Sequence, residues 1–362
     1  MTIQSAAVEA EPISRAEYLH TLRPLLPAEA FRPYPRAYVP ILIHVAVVIA
    51  GWIAIGAIRD PIWWVLWSLI IGNSLSALAF LAHDVAHRTV TTNRYLQYPT
   101  ELFLWALMYV PATVWRYVHG SHHAHTNSDE DTDRRFLSSE LNVTGTIAAA
   151  TLYPNRHLRY SFIFLLFWFV FPFRHTIVAL LYPGRKKPSY VTAKPRYVSR
   201  DKLWIVFELV FIAALQGGVA AITHDGFFWA SIFPTIVTSA VVSWYFFTNH
   251  GLKPVDDGND ILAATTTVRV PGWCNTLHSN FAYHAEHHLF PNMNPHFYPM
   301  VGDLLRRHFP TKYHCIPIWE AWRGLLQNAL ATPRRGEAPA QGDRAAGRVE
   351  IGDRPGRTAT SP

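Results

Sequence analysis

Four histidines crowd into one short stretch of the chain, residues 115–127, which reads WRYVHGSHHAHTN. In a helix, His119, His122 and His123 stand at i, i+3 and i+4, so their imidazole rings project from one face. A protein gains little from crowding polar rings that repel one another once protonated. A metal ion supplies the missing partner, because neutral imidazole binds iron, zinc, copper and nickel. The stretch therefore predicts a metal site.

Two further stretches carry the same kind of spacing. His83 and His87 stand at i and i+4 in HDVAH, and residues 284–288, HAEHH, repeat the i, i+3, i+4 pattern. Because the three clusters share one design, we predict that they hold metal together. The predicted ligands are His83, His87, His119, His122, His123, His284, His287 and His288.

The other histidines are interpreted one by one. We predict His250 as a ninth ligand, and Asn249 beside it could hold a metal-bound water. For His125 we expect an outer hydrogen-bond donor or a structural residue. Ordinary surface or interfacial roles are expected for His20, His44, His157, His175, His224, His278, His296, His308 and His314.

The number of imidazoles limits the choice of metal. A structural zinc takes four ligands and a catalytic zinc three plus water, so eight or nine imidazoles are too many for one zinc. HDVAH also lacks the glutamate of the zinc-protease motif HExxH. Two metals with four or five ligands each fit better. Zinc would suit hydrolysis, whereas two imidazole-bound irons could activate oxygen.

The composition indicates a membrane protein. Of the 362 residues, 50% are hydrophobic and only 16% charged, whereas soluble domains carry about 25% charged residues. The net charge of +7 is interpreted as Lys and Arg at the cytoplasmic face and not as nucleic-acid binding. Cys274 and Cys315 lack the spacing of a metal site.

Hydropathy predicts an all-α integral membrane fold with a membrane domain over 39–330. It follows a cytoplasmic lead-in, 1–38, and precedes a disordered tail, 331–362. Four apolar stretches are long enough to cross about 30 Å of hydrocarbon. They form two hairpins, 39–58 with 62–82 and 203–223 with 227–247. Residues 100–114 and 160–181 are predicted to be helices lying in or on the membrane interface.

Charge predicts the orientation of these helices. Between them, the two hairpin tips carry a single Lys or Arg, Arg59, and the opposite side carries many. By the positive-inside rule that side is cytoplasmic, and both termini lie there. All three histidine clusters fall on the same side, so the sequence predicts a cytoplasmic histidine-rich cap over four transmembrane helices.

The motifs resemble those of the membrane fatty-acid desaturase superfamily. HDxxH at the end of a span, WRxxHxxHHxHTN, and HxxHHLFP after a second hairpin occur in this order, and the resemblance covers roughly residues 26–322. It implies a non-haem di-iron site that uses O2 and two electrons to abstract hydrogen from an acyl chain. The eight box histidines and His250 match the iron ligands of the family, and Asp84 matches an acidic residue that orients a histidine. Beyond the second box lie Asn127, Asp129, Asp131 and Asp133, for which a solvated acidic loop is the expectation; the alternatives are contact with a metal ligand and contact with the substrate head group.

The superfamily resemblance leaves the reaction and the partners open. Acyl desaturation fits the boxes best; alternatives are decarboxylation of a fatty acid to a terminal alkene and hydroxylation or ketolation of a lipid, alkane or carotenoid. The non-enzymatic alternative is a membrane metal-binding or transport protein. Transport would predict ionisable groups near the middle of the spans, and the spans offer only His44, Asn73, Glu208 and Gln216, with no clustered acids. The substrate could be carried by lipid, CoA, acyl-carrier protein or as free acid. Electrons are expected from a separate ferredoxin or b-type cytochrome, since the chain has no signature of a fused donor.

Overall fold

The computed structural model describes residues 11–128, 131, 172–173, 175–181, 199–253 and 260–327. The predicted interfacial helix at 160–181 lies mostly outside these residues, and its described parts, 172–173 and 175–181, are helical. The predicted tail, 331–362, together with His157, Asp129 and Asp133, lies outside the described residues.

The described residues are mostly helical, with two short strands. The helices before the gaps are α1 (Arg15–Leu22), α2 (Tyr38–Ala57), α3 (Pro61–Ala86), α4 (Arg94–Ala106) and α5 (Ala112–Ala124). The later elements are α6 (Ser199–Thr223), α7 (Phe233–His250), α8 (Ile261–Ala264), β1 (Thr267–Arg269), α9 (Gly272–Leu277), α10 (His284–Leu289), α11 (Tyr298–His308), β2 (Cys315–Pro317) and α12 (Ile318–Gln327). Short 3₁₀ turns precede α2, α11 and the π-helical turn Phe228–Ile232, which leads into α7.

Four helical segments are long and apolar enough to cross a membrane: 35–57, 61–86, 200–226 and 228–250. This confirms the prediction of four spans in two hairpins. The first hairpin turns at Asp60, whose side chain accepts a hydrogen bond from the Ile62 backbone N–H at 2.9 Å and caps α3. Pro61 then occupies the first helical position, where its missing N–H is not needed.

The two spans that end on predicted metal ligands are the inner pair of the bundle. The second and fourth spans are 67% and 56% buried over their apolar windows, against 22% and 28% for the first and third. Gly72 of α3 permits a close approach, because a Cβ there would lie 2.6 Å from the Val237 side chain of α7. Thr238 also donates a hydrogen bond to the Gly72 carbonyl at 3.1 Å. The ends of α3 and α7 are therefore fixed relative to each other.

Helix α3 continues beyond the predicted second span. Hydropathy places the end of that span at about residue 82, whereas the helix continues through His83 to Ala86. Helical hydrogen bonding does not stop where apolar residues stop, and this extension puts His83 and His87 one helical turn apart.

The apolar segment predicted at 100–114 is not one helix. It comprises the end of α4, a turn, and the start of α5. Tyr109 adopts a left-handed φ of 63° in that turn, and Pro111 follows it. Since neither residue continues a helix, the chain reverses here and α5 runs back towards the histidine site.

A small cap covers the histidine end of the bundle. Its apolar core joins α1, α10 and α11 through Tyr18, Leu22, Leu289 and Leu305, all buried. Strands β1 and β2 pair in parallel, with Thr267 opposite Cys315. This packing fixes α10, which carries the last histidine cluster.

Candidate metal centre

The predicted ligands come from four helix segments that meet at one end of the bundle. The end of α3 supplies His83 and His87, α5 supplies His119, His122 and His123, α7 ends on His250, and α10 supplies His284, His287 and His288. The helix predicted for 115–127 is present through Ala124. All nine predicted residues are thereby brought together.

The nine side chains divide into two groups. Within each group, the ligand nitrogens all lie within 4.8 Å of one another. The five-histidine group contains His83, His87, His119, His123 and His287. The four-histidine group contains His122, His250, His284 and His288. Each group draws on at least three helices, so neither forms unless the tertiary fold forms.

The spacing of the ring nitrogens fits metal coordination. Nε2 atoms lie 2.8 Å apart between His87 and His119 and 3.0 Å apart between His123 and His287 in the larger group. In the smaller group His250 and His284 are 2.7 Å apart. Two imidazoles bound at right angles to one metal, each at about 2.1 Å, have nitrogens about 3.0 Å apart. The donor set and its spacing therefore fit one metal ion in each group.

The protonation state of the histidines also fits. Six predicted ligands that lie outside the spans have pKa values well below the usual value for histidine. These are His87, His119, His123, His284, His287 and His288. Burial is the main cause, and the charges of neighbouring imidazoles add to it. Rings with such low pKa values are neutral at physiological pH, which is the form that binds metal.

Hydrogen bonds to the opposite ring nitrogen orient several of the histidines. Nδ1 of His287 lies 3.0 Å from the Tyr298 hydroxyl, and Nδ1 of His288 lies 3.1 Å from the Thr126 hydroxyl. Such outer contacts fix the ring and its tautomer. Among the described residues, Nδ1 of His123 and of His284 has no hydrogen-bond partner.

Asp131 is the strongest of these outer partners. Both of its carboxylate oxygens lie 2.9 Å from Nδ1 of His122, and it also accepts a hydrogen bond from the Asn127 backbone N–H at 2.7 Å. Burial alone would raise the pKa of Asp131, but His122 and that N–H outweigh it and the pKa is lowered. The expectation of a solvated acidic loop is wrong for Asp131 and Asn127, which are buried. The sequence could not show that the chain folds back so that Asp131 meets His122.

Asp84 lies where its predicted role places it. One carboxylate oxygen is 3.3 Å from Nδ1 of His83, and the other accepts a hydrogen bond from Ser279 at 2.5 Å. Because Ser279 precedes α10, this pair of contacts ties the end of α3 to the last histidine cluster.

The remaining histidines behave differently from the nine. His125 is exposed and belongs to neither group. Five other described histidines are likewise exposed and outside both groups: His20, His224, His296, His308 and His314. Asn249 is fully buried, and its side-chain amide has no hydrogen-bond partner among the described residues. A metal-bound water at Asn249 stays a prediction.

Sequence reasoning did not predict the roles of two carboxylates that hold α5. Glu208, inside the third span, accepts hydrogen bonds from the Thr113 backbone N–H at 3.0 Å and from the Thr113 hydroxyl at 2.7 Å. Glu101 is fully buried and accepts a hydrogen bond from Nε of Arg116 at 2.5 Å. A lone acid in an apolar span is the signal that could have revealed Glu208.

Aromatic packing completes the setting of α5. The Trp115 ring stacks on His119 with centroids 4.3 Å apart, and Trp105 stacks on Trp115 with centroids 4.5 Å apart. This stack holds one ligand of the five-histidine group against the protein interior.

The fold and the site define an integral membrane protein with two histidine groups suited to metal binding, one buried and one partly buried. A sequence profile described as fatty acid desaturase matches residues 61–322. This match covers more than half of the chain and all nine histidines, so the chain belongs to the fatty acid desaturase family.

Similar proteins of known activity agree with this assignment. The chain is 24% identical over 329 residues to the sn-1 acyl-lipid omega-3 desaturase (ferredoxin) of Synechocystis, covering 84% of this chain and 85% of that protein. It is 23% identical over 295 residues to the Delta(12) fatty acid dehydrogenase of Crepis alpina, covering 75% and 76%. It is 24% identical over 322 residues to a chloroplastic omega-3 fatty acid desaturase of Ricinus communis, covering 83% and 65%.

Proposed function

We propose that this protein is an O2-dependent di-iron desaturase that introduces a double bond into a fatty acyl chain. The observation that carries the proposal is the division of nine histidines into two groups, each able to hold one metal ion. His83, His87, His119, His123 and His287 would hold one iron, and His122, His250, His284 and His288 the other. Bound there, the irons would supply the oxygen chemistry that abstraction of hydrogen from an unactivated C–H bond requires.

The chain itself contributes position, protonation state and exclusion of water. Neutral imidazoles are ready to bind metal without first losing protons, because their pKa values are already low. Asp131, Tyr298 and Thr126 hold individual rings in one orientation. The four-histidine group is buried and the five-histidine group is partly buried, which limits the access of bulk water to the reacting chain.

The overall reaction needs electrons from outside the chain. Removal of one hydrogen from each of two neighbouring carbons, together with two electrons and two protons, converts O2 to water. The Synechocystis relative is named as a ferredoxin enzyme acting on acyl lipids. We propose a ferredoxin donor and a lipid-linked acyl chain for this protein too, with both termini and the histidine groups at the cytoplasmic face.

A fatty-acid and hydrocarbon profile tests the proposal. Cells that express the protein are compared with cells that express His122→Ala, using gas chromatography–mass spectrometry. We expect a new unsaturated acyl chain of unchanged length only with the wild-type protein, and its fragmentation locates the double bond. A terminal alkene one carbon shorter, or a hydroxylated lipid without any alkene product, would replace desaturation with another reaction.

A matched variant controls for the loss of a histidine as such. His224 is exposed at the tip of the second hairpin, and His224→Ala should retain wild-type product levels. Membrane insertion of His122→Ala is checked by fractionation, so that lost activity is not mistaken for lost protein.

A further inference from the structure

The turn between α9 and α10 has an unusual backbone. Ser279 and Asn280 both adopt left-handed conformations, with φ of 51° and 56°. A non-glycine residue meets a steric penalty in this region, because its Cβ comes close to the following carbonyl oxygen, and asparagine tolerates the region better than serine does. Two such residues in succession persist only where the surrounding contacts impose them, and strain of this kind is concentrated at functional sites.

Three hydrogen bonds impose this conformation. The Asn280 backbone N–H donates to the Asn275 carbonyl at 2.8 Å, and the Tyr283 backbone N–H donates to the Asn280 carbonyl at 3.0 Å. The side-chain amide of Asn280 donates to the Pro295 carbonyl at 3.0 Å. The turn is therefore anchored both to α9 and to the segment that follows α10, and Ser279 is held in one place.

The strained turn brings one side chain to the histidine site. The Ser279 hydroxyl donates a hydrogen bond to one carboxylate oxygen of Asp84 at 2.5 Å, and the other oxygen lies 3.3 Å from Nδ1 of His83. Asp84 is buried, and its carboxylate has these two hydrogen-bond partners among the described residues. Removal of the hydroxyl would therefore leave a buried carboxylate oxygen without a donor.

The contact between Asp84 and His83 depends on this support. Successive residues on a helix point about 100° apart and do not face each other, and 3.3 Å is longer than most N–H···O hydrogen bonds. The position of the carboxylate is therefore set by the group that holds its other oxygen, which is Ser279. Glycine would adopt the left-handed backbone without strain, but it would bring no hydroxyl to Asp84.

We propose that Ser279 is a positioning residue for the five-histidine group: its hydroxyl fixes Asp84 and, through Asp84, the ring of His83. Nε2 of His83 lies 3.1 Å from Nε2 of His287, so the ring that is fixed is one that meets the last histidine cluster. The same turn leads into α10, which carries His287, and it thereby sets the spacing between the first and last clusters. The inference rests on the proposed function only in taking the metal to be iron.

Release of iron to a chelator tests this role. Purified, iron-loaded protein in detergent is mixed with excess EDTA, and the release of each iron is followed with time. His122→Ala, which should keep only the iron of the five-histidine group, identifies the phase that belongs to that group. We expect Ser279→Ala to release this iron about ten-fold faster than wild type and the other iron at the wild-type rate. Mössbauer spectra of Ser279→Ala should change at one iron only.

Two further variants separate the hydroxyl from other effects of the substitution. Ser279→Gly relieves the backbone strain but also lacks the hydroxyl, so it should release this iron as fast as Ser279→Ala does. It also carries the test if Ser279→Ala fails to fold. Thr276→Ala removes an exposed hydroxyl that donates to the Gly272 carbonyl of its own helix, and it should release both irons as wild type does.

A double-mutant cycle tests whether Ser279 acts through Asp84. Asp84→Asn should release this iron at least as fast as Ser279→Ala, and the double variant should be no faster than Asp84→Asn, because both changes remove one shared contact. A general role of Ser279 in the fold of the cap would give additive effects or faster release of both irons. Either of these results, or a wild-type release rate for Ser279→Ala, would overturn the proposal.

Metal release is measured independently of turnover, so this proposal and the proposed function can fail separately. Faster release from Ser279→Ala with no unsaturated product from the wild-type protein would overturn the desaturase and support the positioning role. Unsaturated product from the wild-type protein, with wild-type iron release from Ser279→Ala, would overturn the positioning role and leave the desaturase standing.

Discussion

Both carboxylate oxygens of Asp131 lie 2.9 Å from Nδ1 of His122. A carboxylate in this position fixes the tautomer of the ring, so that Nε2 points into the four-histidine group and carries the lone pair a metal needs. Asp131 follows His122 by nine positions, so the chain returns to the end of its own helix. This contact is the basis of the first prediction.

Replacing Asp131 by Asn should weaken metal binding at the four-histidine group about 10- to 100-fold, because the amide holds the His122 ring less firmly and without charge. Iron content after dialysis against graded chelator measures the loss. Asp225→Asn, an exposed change at the second hairpin tip, is the control and should retain iron as wild type does. Iron retention by Asp131→Asn equal to that of the control would show that the contact does not support metal binding.

The two histidine groups should lose metal separately. We expect His122→Ala and His287→Ala each to lower iron from about two ions per chain to about one, because each removes one ligand from a different group. Both variants should lose activity while still inserting into the membrane. Elemental analysis of purified protein gives the stoichiometry. Full iron content with wild-type turnover in either variant contradicts the ligand assignment.

Glu208 should stabilise the start of α5 from within the third span. Its carboxylate accepts hydrogen bonds from the Thr113 backbone N–H, at the second position of α5, and from the Tyr98 hydroxyl. Glu208→Leu therefore leaves these donors without an acceptor. We expect a loss of roughly 1–3 kcal/mol in unfolding free energy, seen as a lower melting temperature in detergent. Glu208→Gln keeps an acceptor and should recover part of the loss. Glu320→Gln, at an exposed site on α12, should melt as wild type does; a wild-type melting temperature for Glu208→Leu would remove the capping role.

The stack of Trp105, Trp115 and His119 should matter for one iron and not for the other. Trp115→Leu loses an aromatic contact worth about 0.5–1.5 kcal/mol beyond its buried area, which loosens His119 in the five-histidine group. Trp115→Phe should lose less. Spectroscopy of the iron-loaded variants measures the change at the five-histidine group, and the four-histidine group serves as an internal reference. Equal perturbation of both irons would contradict the prediction that the stack supports only His119.

Deletion of residues 332–362 should leave activity unchanged. The composition of this segment predicts a disordered tail, and the family match ends at residue 322. Deletion from residue 315 onward is the contrasting variant: it removes β2, which pairs with β1, and α12, which packs against α7. The longer deletion should lose iron, and loss of iron by the shorter one would contradict the prediction.

The sequence by itself determined the spans, the metal-binding residue types and the family. Apolar length identifies a membrane helix because the bilayer core has a fixed thickness, and histidines at i, i+3 and i+4 share a helix face whatever surrounds the helix. The sequence also indicated His250, because the fourth span ends on the same side of the membrane as the three histidine clusters. The motif order of HDVAH, HGSHH and HAEHH then identified the family.

Only the tertiary structure decided how those residues are shared between two groups. His122 and His123 are neighbours in sequence, yet they belong to different groups, because successive helical residues point about 100° apart. His123 therefore meets the histidines of α3, whereas His122 meets His250 at the end of α7. Asp131, Glu208 and Glu101 likewise acquired their roles from contacts across long sequence separations. Local periodicity carries no information about such contacts, since they depend on which helix faces meet when the whole chain packs.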